Sequence, residues 1–258
     1  MNPKMVLITG PDLRHQYFIH RLNQEFPIES VVIEDVVYPD FHANSIENQT
    51  AWDWFFSLRK EYEESTFADS TSWPPLNQPR VIHVSSDRIN SREFHKILQT
   101  QQPDLIILFG CSLIGKDILN SFPDRILNLH IGISGQYRGS SCNFWPIHDE
   151  RLECLGATVL TVNSGIDSGE ILAQETIDIE QGDSVQTLMG KTVICGVDLT
   201  IQVIRQGLVE KKQPLPLKRN GKLFLKKDFT PRAISRVKDL EESGRLKSLI
   251  GKYLQAVG

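Results

Sequence analysis

The sequence predicts an α/β fold: an open, mostly parallel sheet with flanking helices. Three observations carry this. Short apolar runs end repeatedly in turn residues. Segments with helical spacing of apolar residues lie between those runs. The first three elements read strand, helix, strand within roughly 30 residues, the length of a βαβ unit. At 258 residues the chain is long enough to bury a substantial core without disulfides or metals as staples.

The elements follow in order. Met5 to Gly10 (MVLITG) is an apolar run stopped by Gly10-Pro11 and reads as a buried strand. Leu13, Phe18, Ile19, Leu22 and Phe26 then recur at helical spacing, and Val31 to Val37 is a second strand. Residues 38–79 break the rhythm. They carry Trp52, Trp54, Phe55, Phe56, Tyr62 and Trp73, with a helix expected over 51–64 and a Ser/Thr/Pro-rich loop after it. This segment reads as an insertion or lid whose aromatic residues form a satellite core or subunit contact, with stacking on a ligand ring as the alternative. Alternation resumes with a strand at Val81 to Val84 and a helix from Ser91 to Gln99 capped by Ser91. A buried strand at Leu105 to Phe109 precedes a helix at Ile114 to Ser121, and Ile126 to His130 is another strand. Ala157 to Val162 and Ile171 to Ile179 complete six or seven strands, and Ser184 to Gln206 is a long amphipathic helix with Ser184 as its N-cap. Residues 1–210 thus form the body and 211–258 a C-terminal extension. In that extension Pro214 and Pro216 mark a linker, Lys222 to Lys226 a short strand, and Ala233 to Leu254 a basic, mostly exposed helical region.

Charge divides the same way. Net charge is −4, but residues 211–258 hold 13 Lys/Arg against 4 Asp/Glu, and the body holds 15 against 28. No uninterrupted apolar run approaches the roughly 18 residues of a membrane span, and the N-terminus lacks the pattern of a signal peptide. Cys111, Cys142, Cys154 and Cys195 show no C-x-x-C spacing. Reduced thiols in a cytoplasmic protein are the simplest expectation, with no metal. Gly10 alone follows the first strand, so a dinucleotide fingerprint is unsupported, and P-loop, G-x-S-x-G and H-E-x-x-H patterns are absent. His148-Asp149-Glu150 reads as a helix end.

The informative segment is 126–172. Asn128 and His130 sit two apart at the end of a predicted strand, so their side chains share one face. In an open α/β sheet that is where ligands bind. Gly132, Gly135 and Gly139 bracket Tyr137-Arg138 in a loop that lets backbone approach a ligand closely. Gly165-Ile166-Asp167-Ser168-Gly169 is a second glycine-flanked loop presenting one carboxylate. Taken singly, each piece also reads as an ordinary loop or turn.

Together the pieces resemble the catalytic core of the folate-dependent formyltransferases. They are Asn128-Leu129-His130, Tyr137-Arg138-Gly139, Trp145, Gly156-Ala157-Thr158, and Gly165 through Leu172 in the same order and spacing. Weaker similarity runs through Val6 to Phe18 and Asp104 to Gly115. The resemblance implies a Rossmann-like sheet, an Asn128–His130–Asp167 catalytic set and 10-formyltetrahydrofolate as formyl donor. It implies a pterin cradle at Leu108, Gly110, Ser112, Leu113, Ile114, Asn163, Gly165 and Ile166, and acceptor contacts at Tyr137, Arg138, Gly139 and Trp145. Many members carry a Ser-Leu-Leu-Pro-like stretch after the histidine. Here it is Ile131 to Gln136, with Gly135 where proline is frequent.

Layout bears on the acceptor. The methionyl-tRNA members add a C-terminal barrel, whereas 48 residues follow position 210. The layout is most similar to the sugar N-formyltransferases, so a nucleotide-linked amino sugar is the expected acceptor. A hydroxyornithine side chain is the runner-up, and a folate-binding module without turnover is the non-enzyme alternative. The basic extension either meets a nucleotide diphosphate or is a solvated helix packed on the body or on the partner of a homodimer. Nucleic acid ranks below both, because the extension has few aromatics and no recognisable binding module.

Overall fold

The computed structural model describes residues 3–35, 45–68, 79–207 and 221–257. Strand β1 (Met5–Thr9) is central, because its apolar residues are buried on both faces. Helix α1 (Leu13–Glu25) returns the chain to β2 (Ile28–Asp35), and the helix stops at Phe26, before Pro27. Strand β2 begins earlier than its apolar run suggests. Ile28 and Ser30 point inward on either side of exposed Glu29, and Ser30 Oγ bonds Gln101 Oε1 at 3.0 Å. Helix α2 (Ile46–Phe67) is longer than the expected 51–64 and is capped by Ser45, whose Oγ accepts from Asn48 N–H. It is the crossover to edge strand β3 (Arg80–Ser85), and it also packs on α1. Val37, Trp73 and the Pro214–Pro216 linker lie outside the described residues.

The chain then crosses to the other side of β1. Helix α3 (Arg92–Gln101) is capped by Ser91 Oγ on Phe94 N–H at 3.1 Å and leads to β4 (Leu105–Phe109). Helix α4 (Lys116–Ser121) starts two residues later than the sequence suggests, because residues 110–115 form a loop ending at the Gly115 N-cap. Strand β5 (Ile126–His130) follows, then the antiparallel pair β7 (Gly156–Thr161) and β8 (Ile171–Thr176). Sheet order is β3-β2-β1-β4-β5-β7-β8, with the first five strands parallel. Strand order reverses between β1 and β4, the switch point at which open α/β sheets bind ligands. Strand β8 stops before Ile177 and Ile179, which pack into a separate cluster instead.

The pleat distributes the core. Leu7, Ile107 and Phe109 face α1 and helix α6 (Val185–Gly207), while Ile8, Ile106 and Leu108 face α3 and α4. Thr187 N–H bonds Ser184 Oγ at 3.2 Å, the expected N-cap of α6. Among the described helices α6 alone is long and apolar enough to cross a bilayer, and here 61% of that stretch is buried against the body.

A third cluster joins the C-terminal segment to the body. The expected helical region is two helices, α7 (Pro231–Glu242) and α8 (Arg245–Val257), broken at Gly244 (φ +76°). Ile234, Val237, Leu246 and Ile250 are buried against Phe55, Ile147 and Leu188. Basic residues of α7 and α8 meet acidic residues of the body: Arg236 and Arg245 both reach Glu150 Oε1, at 3.1 and 2.9 Å. Glu241 ties α7 to the start of α6 by accepting from Val185 N–H at 3.1 Å, while its Oε2 is sealed without a partner among the described residues. Burial raises the Glu241 pKa above the usual glutamate range. A raised folded-state value means that stability from this group is present at acid pH and is lost as pH rises through it. Glu241→Gln is therefore expected to melt higher than wild type at pH 8, with the difference shrinking towards pH 4. A difference independent of pH in thermal melts counts against this account.

Candidate active site

Alternation along β5 sends Leu127 and Leu129 into the core beneath α1 and α6, and turns Asn128 and His130 to the other face. Both side chains meet Asp167, from the loop between β7 and β8. Asn128 Nδ2 donates to Asp167 Oδ1 at 3.1 Å, and His130 Nδ1 lies 3.3 Å from Oδ2. Gly139 N–H donates to Oδ2 at 2.7 Å. The imidazole and carboxylate side chains are 5% and 10% exposed, so solvent screens the pair weakly. Asp167 holds a positive φ of +43°, a local backbone cost of the kind found at functional sites. On the far side of the ring, His130 Nε2 faces Tyr137 O at 3.1 Å. Both ring nitrogens thus face acceptor oxygens, an arrangement only a doubly protonated ring satisfies at both ends.

Gly139 explains why the Tyr137-Arg138-Gly139 piece lies where it does. It belongs to β6 (Tyr137–Gly139), a strand the sequence analysis missed, which pairs in parallel with β9 (Lys222–Phe224). Its φ is +91°, and a Cβ there would collide with the Phe224 carbonyl. The glycine lets β9 approach while its own N–H reaches Asp167.

Tyr137 and Trp145 do not line the cavity, contrary to the expected acceptor contacts. They are 2% and 3% exposed and enclose Phe224, with ring centroids 5.9 and 4.1 Å away and nearly parallel planes. Burial of large aromatic area holds them there. The guanidinium of Arg138 is also turned away, its Nε donating to Gly221 O at 3.1 Å. Of those four residues Gly139 alone reaches the cavity. The divergent stretch Ile131 to Gln136 forms a turn in which Gln136 and Tyr137 N–H both bond Ile133 O. His148 ends α5 (Trp145–His148), as its sequence context suggests.

The Asn128–His130–Asp167 cluster opens on a cavity of about 930 Å³ at the switch point. All eight expected cradle residues line it: Leu108, Gly110, Ser112, Leu113 and Ile114 from the loop after β4, and Asn163, Gly165 and Ile166 from the loop after β7. Glu34, fully buried on β2, anchors the first loop by accepting from Ser112 N–H at 2.6 Å. Leu113 leaves an exposed apolar side chain at the rim. Two thiols also line the wall. Burial, then the Glu34 charge, pushes Cys111 up to about 12. Burial, then Asp167, raises Cys142. Both remain thiols at neutral pH, which argues against thiolate chemistry. Among the described residues no group of three or more His, Cys, Asp or Glu is placed to hold a metal ion.

Other lining residues were not singled out in the sequence as site residues. Arg14 and His15 come from α1, Arg59 and Glu63 from α2, and Lys226 and Lys227 from the segment after β9. Trp52 and Phe56 line the cavity too, and they also pack against the third cluster, in which Phe55 is buried.

Comparison with known proteins places these residues in context. The formyl transferase family matches residues 59–204. Methionyl-tRNA formyltransferase from Finegoldia magna is 32% identical over 123 residues, covering 47% of this chain and 39% of that protein. The chain thus spans about two fifths of the length of this relative. Among solved structures, a 4-N formyltransferase from Francisella tularensis superposes with a TM-score of 0.57 at 17% identity, over 88% of this chain and 78% of that one. The formyltransferase PseJ from Anoxybacillus kamchatkensis, in complex with UDP-4,6-dideoxy-4-formamido-L-AltNAc and tetrahydrofolate, gives 0.52 at 18% identity, over 90% and 97%. At these identities the structural likeness speaks to the fold.

Proposed function

Because the chain belongs to the formyl transferase family, we propose that it moves a formyl group from 10-formyltetrahydrofolate to a primary amine, that of a nucleotide-linked amino sugar. The observation that carries this reading is the Asp167 carboxylate held by Asn128, His130 and Gly139 at the wall of the cavity. The cavity suits the donor: two loops supply backbone and small residues, and Leu108, Ile114 and Ile166 supply apolar surface for a flat ring. When bound, the folate supplies the formyl carbon.

The chain's own groups do the rest. Attack by the amine places negative charge on the formyl oxygen. Asn128 Nδ2 has a second N–H beyond the one given to Asp167, and this hydrogen is available to that oxygen. The charge of a protonated His130 acts beside it in a poorly screened site. Asp167 fixes the ring and, through a water, carries the proton from the attacking amine towards the leaving nitrogen. For the acceptor, Trp52 and Phe56 offer ring faces and Lys226 and Lys227 offer cations suited to a diphosphate. PseJ, whose complex contains a UDP-linked formamido sugar, shares the fold and supports the same acceptor class.

The test is formyl transfer from 10-formyltetrahydrofolate to a panel of UDP- and dTDP-linked 3-amino and 4-amino dideoxy sugars, with hydroxyornithine and methionyl-tRNA alongside. Formylation of a sugar amine, read by mass spectrometry, is the expected result. Formylation of methionyl-tRNA or hydroxyornithine alone replaces the acceptor. Folate binding with no turnover of any amine defeats the enzyme reading.

A further inference from the structure

Apart from the Asn128–His130–Asp167 cluster, the same cavity holds another polar centre. His15 stands in the first turn of α1, 3% exposed, where β1 and β4 end. Its ring lies edge-on to Phe109 with centroids 5.0 Å apart. Gly10 and Gly110 make room for it. A Cβ at Gly10 would lie 2.7 Å from His15 Cε1, and one at Gly110 would overlap Nε2. The lone glycine after the first strand, which fits no dinucleotide motif, is therefore accounted for by an imidazole at the switch point.

Geometry fixes the proton on this ring. The Asp12 backbone N–H donates to His15 Nδ1 at 3.2 Å. An amide N–H cannot accept, so Nδ1 carries the lone pair and Nε2 the hydrogen. Burial, then the charges of Arg14 and Arg59, pushes the ring well below the usual histidine range, so it stays neutral. His15 Nε2 has no hydrogen-bond partner among the described residues, and it is not among the sealed atoms left without one, such as those of Glu34 and Ser134. The ring lines the cavity. A donor so placed is costly unless something entering the cavity accepts from it.

The surroundings define the partner. Arg14 bonds both Asp12 and Glu63, and with Arg59 nearby two cations stand against two carboxylates. Arg59 lies over the Phe56 ring at 5.2 Å, and Trp52 is stacked obliquely on Phe56 at 4.6 Å. A neutral donor beside compensated charges and aromatic faces fits a hydroxylated ring better than a phosphate, which calls for net positive charge. We propose that His15 is a specificity-determining residue that donates from Nε2 to an oxygen of the acceptor's sugar, in the arm of the cavity between α1 and α2. This inference rests on the formyl-transfer reading given above.

His15→Phe keeps a ring against Phe109 and removes the donor, while His15→Gln restores an N–H. With the UDP- or dTDP-linked amino sugar that wild type formylates, H15F is expected to raise the acceptor KM about tenfold or more. The KM for 10-formyltetrahydrofolate should stay within about twofold, and H15Q should recover part of the loss. If H15F does not fold, the same comparison is made with H15Q and with deoxy analogues of the acceptor on wild type, one of which should lose the same factor. An unchanged acceptor KM, or an equal rise in both KM values, overturns the role of His15 and leaves formyl transfer standing. No turnover of any panel sugar by wild type overturns the acceptor reading and this inference with it.

Discussion

Replacing Asp167 with asparagine is expected to lower kcat for formyl transfer by about 100- to 1,000-fold or more, with the fold intact. The substitution keeps shape and removes charge. Three groups converge on the two carboxylate oxygens: Asn128 Nδ2, His130 Nδ1 and the Gly139 N–H. An amide offers one oxygen, so its NH2 end must face at least one of these donors. The His130 ring also loses the carboxylate it faces on the side away from Tyr137 O. The unmatched donor should cost about 1–3 kcal/mol of stability, which a domain stable by roughly 5–15 kcal/mol survives. Asn128→Ala and His130→Ala should likewise fold and lose nearly all turnover. Steady-state kinetics beside a urea melt separates chemistry from unfolding. Turnover of D167N within a few-fold of wild type removes the carboxylate from the mechanism.

The cluster was legible in sequence for a local reason. Asn128 and His130 lie on one strand, and a period of two places them on one face whatever the rest of the chain does. Asp167 comes from a loop flanked by Gly165 and Gly169, and the resemblance linked it to that pair before geometry did. Strands β1 and β4 were equally plain, because apolar runs such as LIILF stand apart from their flanks. What escaped depended on distant pairing. Strand β6 is three residues in a glycine-rich stretch, too short for any period, and its partner β9 is about 85 residues away. Tyr137 and Trp145 lie beside site residues in sequence, and only the return of Phe224 shows that their rings are packing. His15 gave no signal either, since a histidine in an amphipathic helix reads as surface until Gly10 and Gly110 are seen against it. The divided charge was visible, and its use is now specific. Arg236 and Arg245 bind Glu150 of the body, while Lys226 and Lys227 reach the cavity.

Phe224→Ala is expected to have the largest effect on stability and to damage the site from a distance. The ring is 5% exposed, lies 4.1 Å from Trp145 in parallel stacking, and is covered on another side by Tyr137. Truncating such a residue typically costs about 3–5 kcal/mol. At roughly 2–4 °C per kcal/mol for a chain of this size, the midpoint should fall by about 6–20 °C. The backbone of Phe224 matters as much as its ring. Its carbonyl accepts from Ser140 N–H at 2.8 Å and lies where a Gly139 side chain would be, so β9 is the template on which Gly139 is held. Gly139 in turn gives its N–H to Asp167. Loosening β9 should therefore lower kcat below what the remaining folded fraction accounts for. Phe224→Leu, which keeps apolar bulk, should recover much of the midpoint and part of the rate. If F224A melts within about 2 °C of wild type, or loses stability with no loss of kcat in its folded fraction, β9 is not what positions the carboxylate.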